Sequence, residues 1–219
     1  MFTGIIEAIG TIVELQPESG DLRLRINTGK LDLSDVQLGD SIAVNGVCLT
    51  AVDLLGDGFR ADVSGETLAK TCVGHWQQGQ QVNLEKALTP TTRLGGHLVS
   101  GHVDGIGEVI KRWADARSVK FQIRVADELA RYIAHKGSVC VDGTSLTVNA
   151  VAGAMFELNI VPHTLKETIM ASYQPGSRVN IEVDLLARYL ERLMLGEKAA
   201  QVGAGIDTAF LQEHGFIKN

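Results

Sequence analysis

The chain has 219 residues, 45% of them hydrophobic and 21% charged, with a formal net charge of -6. That balance describes a folding chain long enough for two domains, and it excludes a disordered polyelectrolyte or a basic face for nucleic-acid backbones. Three cysteines without CxxC spacing, Cys48, Cys72 and Cys140, exclude a disulfide framework and a zinc knuckle.

The N-terminal MFTGIIEAIG lacks the basic stretch and small-residue cleavage site of a signal peptide, and no apolar run approaches the roughly 18 residues of a membrane helix. A cytoplasmic chain without a membrane partner is expected. Short β-branched runs follow at Ile5 to Leu15, Leu22 to Ile26, Ser41 to Val44, Cys48 to Leu54, Phe59 to Val63 and Val82 to Glu85, separated by Gly, Asn or Asp. Six such runs in so short a stretch predict a small antiparallel barrel. Asn45-Gly46 and, later, Asp142-Gly143 predict tight hairpins, because both central residues tolerate positive φ. Leu88 to Gly96, with Pro90 and paired glycines, reads as a linker. Short helices are expected after Gly65, after Pro162, and over Asp127 to His135 with Asp127 as cap.

The stretch VNGVCLT, Val44 to Thr50, returns as VDGTSLT at Val141 to Thr147. Holding that offset of 97, Met1 to Leu88 can be laid on Leu98 to Leu185 without a gap. Gly4 falls on Gly101, Ser41 on Ser138, Phe59 on Phe156, Thr67-Leu68 on Thr164-Leu165 and Val82-Asn83 on Val179-Asn180. Gly39 misses Gly137 by one residue. A period this long reads as a duplicated domain and not as a solenoid. From Asp184 the chain departs from the pattern: Leu185, Leu186, Tyr189, Leu190, Leu193 and Met194 form one apolar helical stripe opposite Arg188, Glu191 and Arg192. That helix either packs on its own barrel or joins subunits.

Several of these segments carry a family resemblance. The opening MFTGIIEAIG, the pair VNGVCLT and VDGTSLT, the segment GGHLVSGHVDG, and the ETL and HTL segments at Glu66 and His163 closely resemble the riboflavin synthase family. The resemblance implies an all-β fold: two tandem homologous six-stranded antiparallel Greek-key barrels over 1–90 and 97–184, then an oligomerisation helix and tail over 185–219. It implies that two molecules of 6,7-dimethyl-8-ribityllumazine exchange a four-carbon unit, without metal or organic cofactor. It further implies a homotrimer whose sites form between the first barrel of one subunit and the second barrel of another. Docking with the synthase that makes the lumazine stays open.

By the same resemblance, Ser41, Cys48, His102, Lys136 and Asp142 match polar site positions. Gly4, Ile5 and Ile6, Cys48, Leu49 and Thr50, Asp62, Val63, Ser64, Gly65, Glu66 and Thr67, and Gly101, His102 and Val103 match ligand-contact segments. So do Ser145, Leu146 and Thr147, and Asn159, Ile160, Val161, Pro162, His163 and Thr164. His163 stands where the family can carry Glu, and Ser64-Gly65 is a small, flexible pair beside the expected pocket.

One lumazine must donate carbons and the other accept them, so a fully symmetric pair of sites would be wrong for the chemistry. The copies differ where protons and nucleophiles are handled: Cys48 faces Ser145, Ile5 faces His102, Asn45 faces Asp142, and Glu66 faces His163. Donor chemistry requires a base for a ring methyl proton, and the acceptor ring a polar group assisting addition. Each candidate has a plainer reading: Cys48 as a packed thiol, His102 as a hydrogen-bonded strand histidine, Asp142 as a turn residue. His97 and His102, five apart, suit no common metal pair. Gly105-Ile106-Gly107 lacks the third glycine of a dinucleotide fingerprint. The rival function is a lumazine-binding antenna or carrier that does no chemistry.

Overall fold

Each strand of the first repeat has a counterpart displaced by 97 residues in the computed structural model, which describes residues 1–200 and Gln212. The first set is β1 (Ala8–Glu18), β2 (Asp21–Asn27), β3 (Ser41–Val44), β4 (Val47–Leu55), β5 (Gly58–Val63) and β6 (Gln81–Lys86). The second is β7 (Gly105–Asp115), β8 (Ser118–Arg124), β9 (Ser138–Val141), β10 (Thr144–Ala152), β11 (Met155–Ile160) and β12 (Arg178–Val183). Each closes into an antiparallel barrel, in the orders β1-β2-β5-β4-β3-β6 and β7-β8-β11-β10-β9-β12. Closure leaves no unpaired edge, which allows domains this small to persist. The irregularities recur too: breaks of register at Ile12/Glu14 and Ala51/Asp53 return at Val109/Lys111 and Val148/Ala150.

The period-2 alternation sends equivalent residues into both interiors. Leu24 and Phe121, Ile26 and Ile123, Phe59 and Phe156, and Val82 and Val179 are all fully or almost fully buried. Asn45 and Gly46 have φ of 46° and 76°, and Asp142 and Gly143 have 43° and 82°, so both expected hairpin turns form with two left-handed central residues. Gly39 and Lys136, which the sequence leaves out of step, are equivalent in space. Both are left-handed (φ 94° and 63°), and their N–H groups donate to Ala51 and Val148. Lys136 thus holds a conformation that glycine holds in the first copy, at a cost of about 1 kcal/mol or more.

Helix α1 (Gly65–Lys70) starts where expected, with Ser64 accepting from the Thr67 N–H. Helix α2 is shorter than the sequence indicates, Asp127–Ala130, with Ala126 at the cap and Asp127 inside the first turn. Leu129 and Ile133 are both buried, and after Ala130 the backbone continues in turns that keep them facing the core. Helix α3 (Pro162–Glu167) has its proline at the first position, where the missing N–H costs nothing.

The barrels meet at a seam of approximate twofold symmetry. The two hairpin tips sit back to back: a Cβ on Gly46 would lie 2.7 Å from the Gly143 nitrogen, and one on Gly143 would lie 2.8 Å from that of Gly46. Residues 1–184 form one compact unit, and 185–219 a second. Within the latter, α4 (Leu185–Met194) carries Leu186, Tyr189, Leu190 and Leu193 on one face. Among the described residues no helix is long and apolar enough to cross a membrane.

Candidate functional site

Alternation also fixes what each barrel shows on its outside. On β4, Val47, Leu49 and Ala51 are buried while Cys48, Thr50 and Val52 point outward. Ser41 pairs with Thr50, and Asp62 pairs with Arg23, whose guanidinium donates to it at 2.7 and 3.1 Å. The Ala51–Ala61 pair brings Thr50 beside Asp62. The result is a polar row, Arg23, Asp62, Thr50 and Ser41, across the outer wall of the first barrel. The second barrel repeats it: Lys120 pairs with Asn159 and Ser138 with Thr147, giving the row Lys120, Asn159, Thr147 and Ser138. One charge differs. Asp62, held below the usual carboxylate range by its bonds to Arg23, is replaced by neutral Asn159.

The segments preceding the barrels bond to both barrels at once. Phe2 and Val99 form an antiparallel bridge, with N–H···O distances of 2.7 and 3.1 Å, so the two leading arms run alongside one another. They then exchange partners. Gly4 accepts at its carbonyl from the Ser145 N–H of the second barrel (2.8 Å), and Gly101 accepts from the Cys48 N–H of the first (2.9 Å). Both glycines are left-handed, φ 75° and 80°, and a Cβ on either would press on Ser145 or Cys48 at about the distance of a covalent bond and a half, 2.5 and 2.6 Å. No side chain fits there. The first wall is therefore flanked at Cys48 by the arm Gly101 to Val103, and the second at Ser145 by Gly4 to Ile6. The expected strand over Ile5 to Leu15 accordingly begins at Ala8, and exposed His102 lies on an arm and not in a strand.

This geometry distributes the candidates. Ser41, Cys48, Thr50 and Asp62 line the first wall, Gly101 bonds to it at Cys48 and leads into His102, and Val103 packs against the first core. Gly4, Ile5, Ile6, Ser145, Thr147 and Asn159 gather at the second wall, with Lys136 two residues before Ser138. Ser64, Gly65, Glu66 and Thr67, and Val161, Pro162, His163 and Thr164, begin the equivalent helices α1 and α3 that follow β5 and β11. Leu49, Val63 and Ile160 point into the barrels, and Leu146 packs against the second core. Asp142 joins neither wall. It is 3% exposed in the seam, accepting from the Asn180 N–H at 2.7 Å and from the Tyr173 hydroxyl. Desolvation raises its pKa from 3.8 to about 7 despite those bonds. β9 spaces it four residues from Ser138, about 13 Å of strand.

One residue was hidden from the sequence comparison. His97 lies just outside the matched repeat, and its Nδ1 stands 2.6 Å from the Ser145 hydroxyl. Its Nε2 is buried without a hydrogen-bond partner among the described residues, and burial lowers its pKa. The second wall thus carries a hydroxyl–imidazole pair where the first has a thiol with His102 on the flanking arm. Among the described residues no cluster of metal-ligating side chains is present.

The comparisons with known proteins follow the same division. The lumazine binding domain matches residues 3–87 and again 100–184. The chain is 51% identical over 217 residues to the riboflavin synthase of Photobacterium phosphoreum, covering 99% of this chain and 100% of that protein. It is 40% identical to that of Bacillus subtilis over 216 residues (99% and 100%) and 42% identical to that of Saccharomyces cerevisiae over 206 (89% and 87%). Among solved structures, LumP complexed with riboflavin superposes with a TM-score of 0.78 at 24% identity, covering 84% of this chain and 99% of that one. LumP complexed with 6,7-dimethyl-8-(1'-D-ribityl) lumazine gives 0.76 at the same identity and coverage. Those two likenesses carry the fold.

Proposed function

The chain belongs to the riboflavin synthase family, and on that premise we propose that it converts two molecules of 6,7-dimethyl-8-ribityllumazine into riboflavin and 5-amino-6-(D-ribitylamino)uracil. The observation that carries this reading is the doubled outer wall with unlike polar groups. Each wall offers the same row of strand residues to one flat heterocycle, so one chain binds two copies of one substrate. Cys48 and His102 on one side, Ser145 and His97 on the other, give the copies different chemistry. A four-carbon unit leaves the donor lumazine for the acceptor. That transfer needs a base for a methyl proton and a polar group assisting addition to the second ring.

Holding both rings in register supplies an effective molarity of about 10⁵ to 10⁸ M, whereas one general acid or base contributes about 10² to 10⁴-fold. Alignment outweighs any single side chain. The two walls that meet in one reaction belong to different subunits of a homotrimer, joined through the apolar stripe of α4. Support comes from that stripe and from the family resemblance.

The test is direct: purified protein is mixed with 6,7-dimethyl-8-ribityllumazine and the riboflavin absorbance is followed. Riboflavin and the pyrimidine in equal amounts are expected. Lumazine that is bound but never converted would make the protein an antenna or carrier instead.

A further inference from the structure

The exchanged arms need something to hold them, and the same device appears twice. Glu85 on β6 and Glu182 on β12 are equivalent, and each is 4% exposed. One oxygen of Glu182 accepts from the Ser100 N–H at 2.6 Å and the Ser100 hydroxyl at 2.7 Å, and the other accepts from the Gly101 N–H at 2.9 Å. Glu85 repeats this on the other arm, accepting from the Thr3 N–H and hydroxyl, both at 2.7 Å, and from the Gly4 N–H at 3.0 Å. Each hydroxyl is also an acceptor: Ser100 takes the His102 N–H at 3.3 Å, and Thr3 takes the Ile5 N–H at 3.2 Å. Three donors converge on each carboxylate, and the next residue along is tied in through the hydroxyl.

An acceptor-only group suits this position. A carboxylate offers lone pairs on both oxygens, whereas an amide would point an NH₂ group at one of the backbone donors. Burial pushes both carboxyls up, and the three bonds on each oppose that.

The clamps act across the seam. Glu182 belongs to the second barrel, yet the arm it grips lies on the first wall and carries His102. Glu85 belongs to the first barrel, yet its arm lies on the second wall beside Ser145. We infer that Glu182 is a positioning residue for the ligand site of the first barrel and Glu85 for that of the second, so that each barrel's carboxylate completes the other barrel's site.

The inference rests on the two-site reading above, and the experiment separates them. An 8-ribityllumazine analogue lacking the ring methyl groups, which has no methyl proton to give, is titrated into the full-length protein. Cys48 is the one partly exposed thiol among the described residues, so analogue-dependent protection of Cys48 from iodoacetamide reports the first site. Wild type is expected to bind two analogues per chain with Cys48 protected. Glu182→Ala is expected to bind one, with protection of Cys48 lost. Glu85→Ala is expected to bind one, with protection retained. Glu182→Gln and Glu85→Gln keep the shape of the side chain and should weaken the same single sites about tenfold, a step typical of losing one charged hydrogen bond.

Two normal sites in the alanine variants would overturn the clamp. So would an uncrossed pattern, with Glu182→Ala still protecting Cys48. Loss of both sites together in the glutamine variants would show that the carboxylates merely hold the fold, and would overturn it as well. A wild type that binds one analogue per chain would instead refute the two-site reading.

Discussion

Asn83 and Asn180 reach across the seam in opposite directions: the Nδ2 of Asn83 donates to the Asp142 carbonyl at 2.8 Å, and that of Asn180 donates to the Asn45 carbonyl at 2.9 Å. Their Oδ1 atoms accept from the N–H groups of Ile169 (2.8 Å) and Cys72 (2.7 Å), again on the far barrel. All six residues are buried, so these amides satisfy backbone groups that no water reaches. Asn83→Ala would leave the Ile169 N–H and the Asp142 carbonyl unpaired. A loss of about 3 kcal/mol is expected in urea unfolding, in line with the penalty for buried unsatisfied groups; a loss below about 0.5 kcal/mol would mean that the seam relaxes around the gap.

Asp142 gives the seam a pH dependence. Its folded pKa of about 7 lies above its ordinary value of 3.8, so the folded chain keeps a proton that the unfolded chain has lost. Ionisation therefore opposes folding: stability falls as pH rises from about 4 to about 7, by up to roughly 4 kcal/mol, and no further above that. Asn45 occupies the equivalent place with the equivalent bond, its Oδ1 accepting from the Asn83 N–H at 2.7 Å, so an amide fits there. Asp142→Asn should flatten the unfolding midpoint between about pH 4 and about pH 7. A variant that keeps the wild-type slope would assign that slope to other groups.

The three thiols should separate cleanly. Cys72 is buried and pushed up to about 12 by desolvation first and by Asp142 second, and Cys140 is buried and also pushed far up. Thiolate is the reactive form. Iodoacetamide should modify one cysteine per native chain, Cys48, as read by peptide mass mapping. Modification of Cys140 at a comparable rate would show that the seam opens.

His102 lies exposed on its arm, and its removal should slow turnover without abolishing it. His102→Gln is expected to lower kcat about 10 to 10³-fold, no more than the roughly 10² to 10⁴-fold that a single acid or base contributes. A loss beyond about 10⁵-fold would overturn the ranking of alignment above side-chain chemistry.

Removing residues 185–219 takes away the apolar stripe of α4 and leaves the compact unit of 1–184. Sedimentation should show single subunits, with activity lower than that of His102→Gln. A monomer with full turnover would contradict a site shared between chains.

Much of this architecture can be read from the letters. The offset of 97 locates every strand of the second barrel from the first, because closure and alternation impose the same spacing twice. Asn45-Gly46 and Asp142-Gly143 announce their turns through their tolerance of positive φ. The exchange of arms is different in kind. Gly4 and Gly101 match as a pair, but a repeat states which residues are equivalent and not which ones touch. His97 falls outside the aligned copies, so comparing them passes over it. Lys136 conceals its equivalence to Gly39 because a left-handed lysine leaves no mark in composition. Asp142, plausible both as a turn residue and as a reactive acid, is placed by burial beneath Tyr173, a contact between segments that no local pattern encodes.

The traded arms and the back-to-back turns at Gly46 and Gly143 also bear on ancestry. A lone half would keep its carboxylate on its own arm, but the glycine carbonyl of that arm would lose the N–H that the other barrel supplies, unless a second identical polypeptide stood opposite. The duplicated chain is in this sense a tethered pair whose halves differ at equivalent places, cysteine on one side and serine on the other.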